Sequence, residues 1–338
     1  MPKPTRTDPT RPASAAEVAR LAGVSRSAVS RTFTDGASVS PETRAKVMEA
    51  AKALNYHVNH LARGISKEES RPVCLLAANL NKPYHGLLLD ALTRRLQAAG
   101  RISMVINVSA DPKSAGEALE STLNYRASAS VVMSGTPPEA MVKACVGAGQ
   151  KVILINRSDT FDGVHHIQID YKQAMMDAVH MLARAGCQRL ALASSSKGTP
   201  SLVAREEFFF EAAKAQGLAP IICRCPGTNY EDGVQAAREI LAGSDRPDGV
   251  FGITDLVACG FIDSATRDFG LSIPGDLCVL GFDDIPQSSW QSYGLTTFSQ
   301  PYDAIAERVS DILLEKTDID LGARLPAQPR WRNSVRAK

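Results

Sequence analysis

Hydrophobic positions along this chain change their period once. From Ala15 to Leu54 they recur at three- and four-residue intervals in short blocks, whereas from Pro72 onward apolar runs alternate with amphipathic stretches. A small helical unit is therefore expected ahead of a larger body of alternating strands and helices. In the first block, Val18, Ala19, Leu21 and Ala22 give one apolar face, and Ser14 with Glu17 three residues on has the spacing of a capping box. Gly23 ends that helix, since leaving it into an immediate turn calls for φ > 0. Ser25 then caps a second helix, which turns Ala28, Val29 and Phe33 inward and Arg26, Ser27, Ser30 and Arg31 outward. Ser40-Pro41-Glu42 opens a third helix running to about Leu54, with Val47, Ala51 and Leu54 as its buried stripe. Two short helices across a tight turn fit an ordinary αα-hairpin or a helix-turn-helix whose second helix enters a major groove.

The larger body reads as repeated strand-helix units. PVCLLAAN (72–79) is a strand, a helix ends at Gly100, ISMVINV is a strand, and the alternation continues through KVILINR at Arg157. A second set runs from YKQAMMDAVHMLARAG to CVLGFDD. The expected fold is an all-α helix-turn-helix headpiece plus an α/β two-lobed core of parallel sheets with helices on both faces. In such sheets ligands bind beyond the carboxyl ends of the strands.

Charge sharpens this division. Residues 1–71 carry 12 Lys or Arg against 7 Asp or Glu, although the whole chain is only +2, so the basic end is the expected nucleic-acid end. The first 13 residues read as a disordered tail without the apolar segment of a signal peptide, and no apolar run reaches membrane-spanning length. A cytoplasmic location is expected. Seven scattered cysteines lie mostly in apolar segments and read as small hydrophobes, and Cys223-Arg-Cys225 lacks neighbours at metal-ligand spacing. No nucleotide loop, nucleophile elbow or zinc-protease motif occurs. His165-His166 is explained by a surface turn after Asp162-Gly163. Asp283-Asp284, adjacent at a strand end, would point to opposite faces, one to a cleft and one to the structure. Neither an enzyme nor a cofactor, metal or catalytic residue is expected.

The run from Val18 to Ile65 resembles, nearly residue for residue and without gaps, the DNA-binding headpiece of the lactose/galactose repressor (LacI/GalR) family. The resemblance implies that Arg26, Ser27 and Arg31 fall where base-reading side chains sit, within a DNA-binding set that also holds Ser25 and Ser30. Arg31 is placed to contact guanine through its guanidinium fork, and Ser27 to contact a base or a phosphate. It also implies a hinge over 59–72 that becomes helical on DNA. There Asn59, Ala62 and Ile65 follow the family pattern N-x-x-A-x-x-L, with isoleucine as the apolar wedge. RAGCQRLALAS, RPDGVFGITDLVACG, VLGFDDIP and LTTFSQP likewise resemble the family's effector-binding core, which has the periplasmic sugar-binding protein fold.

By that resemblance Arg205 grips ligand oxygens and Asp283 accepts from ligand hydroxyls. Trp290 or Tyr302 is available to stack on the ligand, and Tyr84 and His85 lie on a loop over the cleft, where His85 either touches effector or is simply solvated. Asn156 stands where many members have aspartate and Thr254 where many have asparagine, so the effector is expected to be unusual. The Phe208-Phe209-Phe210 run, at the start of a helix, serves core packing or walls the ligand.

The implied organisation is a tail (1–13), a helix-turn-helix domain (14–58), a hinge (59–72) and a core (73–338), with lobe 1 at about 73–169 and 298–324 and lobe 2 at about 170–297 and 325–338. The implied function is that of a ligand-responsive repressor of carbohydrate-related genes. It would bind a pseudo-palindromic operator in double-stranded DNA as a homodimer, with a sugar, sugar acid or related effector between its lobes. A sugar-binding receptor without DNA activity is the alternative, against which the basic headpiece and the missing signal peptide both count.

Overall fold

A computed structural model describes residues 12–34, 36–57, 71–109, 112–133, 137–157, 161–316 and 324–336. The chain divides into two compact units, Met1–Ser70 and Arg71–Lys338.

In the first unit, α1 (Ala15–Ala22), α2 (Arg26–Thr32) and α3 (Pro41–Ala53) enclose a core of Val18, Ala19, Val29, Val47, Ala50 and Ala51. The capping box closes as the sequence predicts: Glu17 N donates to Ser14 Oγ at 3.3 Å and Ser14 N donates to Glu17 Oε2 at 2.7 Å. Gly23 takes φ 67° and ends α1. Leu21 departs from expectation. It is 56% exposed, because so short a helix buries only the narrow stripe of Val18 and Ala19. Arg44 does unpredicted work, donating from Nη1 to Thr32 O at 2.8 Å and so fastening α3 to the end of α2.

The second unit holds two parallel sheets. The first contains β1 (Val73–Ala77), β2 (Ser103–Asn107), β3 (Ala129–Val132), β4 (Lys151–Ile155) and β5 (Val164–Ile167) in the order β2-β1-β3-β4-β5. Three helices are interleaved: α4 (Pro83–Ala98), α5 (Pro112–Asn124) and α6 (Glu139–Gly147). Every β1 residue is buried, as a strand covered on both faces requires. His165 and His166 lie within β5, after the turn that ends at Gly163, so the histidine pair belongs to an edge strand rather than a surface turn.

After β6 (Ile169–Asp170), α7 (Tyr171–Arg184) leads into the second sheet, β7 (Leu190–Ser195), β8 (Ile221–Cys225), β9 (Gly249–Gly252) and β10 (Cys278–Leu280), in the order β10-β9-β7-β8. Between these strands lie α8 (Pro200–Ala215), α9 (Tyr230–Leu241) and α10 (Asp255–Arg267). Gly233 and Gly260 let α9 and α10 cross closely, since a Cβ at Gly260 would lie 1.9 Å from the carbonyl oxygen of Tyr230. The chain then passes between the sheets again. β11 (Thr297–Ser299) pairs with β13 (Gln328–Arg330), α11 (Tyr302–Leu313) packs on α4, and β12 (Leu325–Pro326) pairs with β6. Both sheets reverse their strand order beside their first strand, so each presents a crevice there. All seven cysteines are free and buried.

Candidate functional site

The face of α2 opposite Val29 and Thr32 is polar and open. Arg26, Ser27, Ser30 and Arg31 are exposed on it, with Ser25 at its start. Ser25 Oγ accepts from Ala28 N at 3.2 Å and lies 2.8 Å from Ser27 Oγ, so Ser25 is committed first to capping. Asn59, Ala62 and Ile65 lie outside the described residues.

A cleft of about 480 Å³ lies where the two crevices face one another. It is lined by Asn79, Lys82, Tyr84, His85 and Arg157 from the first lobe and by Lys197, Arg205, Thr228, Thr254 and Asp283 from the second, among others. Arg205 is 4% exposed and locked in place: Nε donates to Ser201 O at 3.1 Å and Nη1 to Ile253 O at 2.7 Å, and its guanidinium lies 4.5 Å from the Phe282 ring centroid. Its Nη1 stands 3.7 Å from Asp283 Oδ1, which accepts from Gln300 Nε2 at 2.6 Å. Asp283 and Asp284 follow β10 with φ 126° and 54°, sparsely populated conformations for residues with a Cβ, and of the kind that collects at ligand sites. The two carboxylates diverge as expected: Asp283 reaches the cleft, while Asp284 Oδ1 accepts from Arg332 Nη2 at 2.6 Å. Burial raises the Asp283 carboxyl to about 6, against the opposing pull of Arg205.

Tyr84, His85, Arg205, Thr254 and Asp283 are thus brought together. Thr254 caps α10, its Oγ1 accepting from Val257 N at 3.4 Å. His85 Nδ1 lies 3.2 Å from Asn79 O, and burial lowers the pKa of its ring.

Three expected residues lie elsewhere. Trp290 is 55% exposed at the end of a short 3-10 turn (Pro286–Ser289) and does not line the cleft. Tyr302 stands behind the lining, its hydroxyl donating to Asp283 O at 2.7 Å and its ring 5.9 Å from that of Tyr84. Asn156 borders a neighbouring hollow of about 160 Å³, and its Oδ1 accepts from Ile169 N at 3.2 Å, tying the end of β4 to the crossover. The three phenylalanines lie mid-helix in α8 rather than at its start: Phe209 is fully buried against Phe251 at 5.2 Å, and Phe208 walls the smaller hollow.

Sequence reasoning missed Lys82, Arg157, Lys197, Thr228 and Gln300. Tyr84 and His85 stand in the first turn of α4 rather than on a loop, because Pro83 opens the helix directly behind Lys82; Lys82 could have been found by reading that segment whole. The others are gathered only by folding. It also missed Asp255, a fully buried carboxylate raised to about 8, chiefly by burial and then by Asp283; Thr297 Oγ1 and Ile285 N donate to it at 2.5 and 2.9 Å. Among the described residues no three His, Cys, Asp or Glu side chains are placed to hold a metal, and no described helix is long and apolar enough to cross a membrane.

A helix-turn-helix unit and a two-lobed binding core on one chain define the class of ligand-binding transcriptional regulators. Residues 15–59 match the family model of bacterial regulatory proteins of the lacI family, and residues 179–335 match that of the periplasmic binding protein-like domain. Catabolite control protein A of Priestia megaterium is 27% identical over 328 residues, covering 95% of this chain and 98% of its own. The transcriptional regulator GalS of Salmonella typhimurium is 29% identical over 304 residues, 88% of each chain. Among solved structures, the lac repressor dimer bound to operator and the anti-inducer ONPF superposes with a TM-score of 0.85 at 23% identity, covering 97% of this chain and 100% of its own. The chain belongs to the LacI/GalR family of DNA-binding transcriptional regulators.

Proposed function

We propose that this chain is a homodimeric repressor of carbohydrate-related genes whose grip on operator DNA in the cytoplasm is set by a small polyhydroxylated effector between its lobes. The observation that carries this reading is the buried Arg205–Asp283 pair at the cleft, a donor fork opposite an acceptor carboxylate. The relatives' names agree with it, the ribose operon repressor of Bacillus subtilis, 27% identical over 298 residues, among them. In this account residues 14–58 read DNA through Arg26, Ser27, Ser30 and Arg31, with Ser25 holding the start of the helix. Residues 59–72 form the hinge, where the spacing of Asn59, Ala62 and Ile65 supports a minor-groove contact. Two such headpieces call for a two-fold site.

Selection of bound sequences from a random DNA pool tests the reading. A pseudo-palindrome is expected, with retention that falls steeply with salt. Arg31→Ala should keep the salt-dependent binding and lose about 1 to 3 kcal/mol of discrimination at one base pair of each half-site. An enriched site that Arg31→Ala binds with unchanged preference would show that α2 is not the reading helix.

A further inference from the structure

The lining of the cleft is unbalanced in charge. Among its described residues it carries Lys82, Arg157, Lys197 and Arg205 against the one carboxylate of Asp283, which Arg205 already faces. Lys82 belongs to the first lobe and donates from Nζ to Thr228 Oγ1 of the second. Lys197, on the loop after β7, is exposed and makes no ion pair with any described residue. The two ammonium groups feel each other: burial first, and then Lys197, pull the Lys82 pKa below the ordinary lysine range, while Asp232 and Asp283 act the other way. Asp232 is occupied, accepting from Gly227 N at 2.9 Å and Asn229 N at 2.7 Å.

Two helices add to the field. α4 and α8, each 16 residues long, begin at the cleft behind Lys82 and Thr199, with no side-chain cap and no acid in the first turn. Among the described residues, no cap and no first-turn acid of either helix offsets its positive end. A neutral sugar would bring no counter-charge to the ammonium groups of Lys82 and Lys197, whereas an oxyanion would meet lysines from both lobes at once.

We propose that the effector carries a carboxylate or phosphate group seated between Lys82 and Lys197, its hydroxylated body extending to Arg205 and Asp283. This rests on the effector-binding reading above and narrows it to anionic ligands. Because the two lysines come from different lobes, the anionic group also favours the arrangement in which the lobes are drawn together.

The test is the melting temperature of the full chain at fixed ionic strength, with three probe sets: glucose, galactose, ribose and fructose; the corresponding sugar acids; and the corresponding sugar phosphates. Inorganic phosphate and sulfate are run against chloride. At least one anionic sugar should stabilise the protein while its neutral parent does not. Lys82→Met and Lys197→Met should each weaken its binding roughly tenfold, the ordinary worth of a hydrogen bond to a charged group. An anion held by the basic headpiece instead would be untouched by both substitutions, which would overturn the proposal. If neutral parents stabilise as well as their anionic forms, and Arg205→Lys weakens both, the cleft reading stands and the anionic one fails. If no sugar, acid, phosphate or inorganic anion stabilises beyond chloride, the oxyanion site does not exist.

Discussion

The Asp283 carboxyl, raised from an ordinary 3.8 to about 6 by burial, gives the cleft a pH dependence whose direction is fixed. Above pH 6 it is ionised and, in the proposed site, offers acceptors to a ligand hydroxyl; below, it is protonated and loses an acceptor site. Effector affinity is therefore expected to fall as pH drops from 7 to 5, where an unshifted aspartate would stay ionised to about 4. Calorimetric titration across that range checks this, and Asp283→Asn should flatten the profile. A wild-type affinity constant from pH 7 to 5 would mean that Asp283 does not touch the ligand. The same shift acts on stability with the opposite sign. The folded chain holds a proton at pH 4 to 6 that the unfolded chain has released, so this group's contribution is full below about pH 4 and declines as pH rises through 6. Individual residues were unequally legible. Arg205 and Asp283 stood out through the motifs around them, and the structure sets them 3.7 Å apart. Trp290 follows the Asp283-Asp284 pair closely in the chain, and nothing in its local sequence reveals that the 3-10 turn before it leaves the ring in solvent.

At the scale of elements, the α9–α10 crossing bears most directly on the shape of the second lobe. Gly233 lies so close to Val257 that a Cβ would sit 2.1 Å from its carbonyl oxygen, and Gly260 is tighter still against Tyr230. Gly260→Ala should cost at least about 1 to 3 kcal/mol, the usual penalty of overpacking, and lower the urea midpoint of the core. An unchanged midpoint would mean that the helices separate freely. The helices of the first unit were legible nearly to the residue because their signals are local: caps at Ser14, Ser25 and Ser40, a stop at Gly23 and a proline at the first position of α3. Leu21 was misjudged because periodicity marks a helical face without saying how much of it a partner covers. The histidine pair was misplaced for a related reason. A turn signal at Gly163 marks where a strand can begin, and the strand itself is fixed by pairing with β4, beyond the reach of local sequence.

For the whole molecule, alternating strands and helices announced two parallel sheets, and the strand orders turn their crevices into one cleft. The residues lining it come from loops and from the beginnings of helices scattered between Ala78 and Gln300. No window of sequence shows that Lys82 and Lys197 share one cavity, so the charge of the site emerged only with the fold. In the proposed function that cavity is coupled to DNA binding: a ligand that saturates the cleft would shift operator affinity by its differential affinity for two states of the protein. The most direct measurement is anisotropy titration of the selected operator with and without the compound that raises the melting temperature most. Wild-type protein should change its operator affinity at least about fivefold on saturation, and Arg205→Lys should need far more ligand for the same change. An operator affinity that stays constant while calorimetry shows the cleft full would contradict the account, separating the binding core from the DNA-reading helices that share its chain.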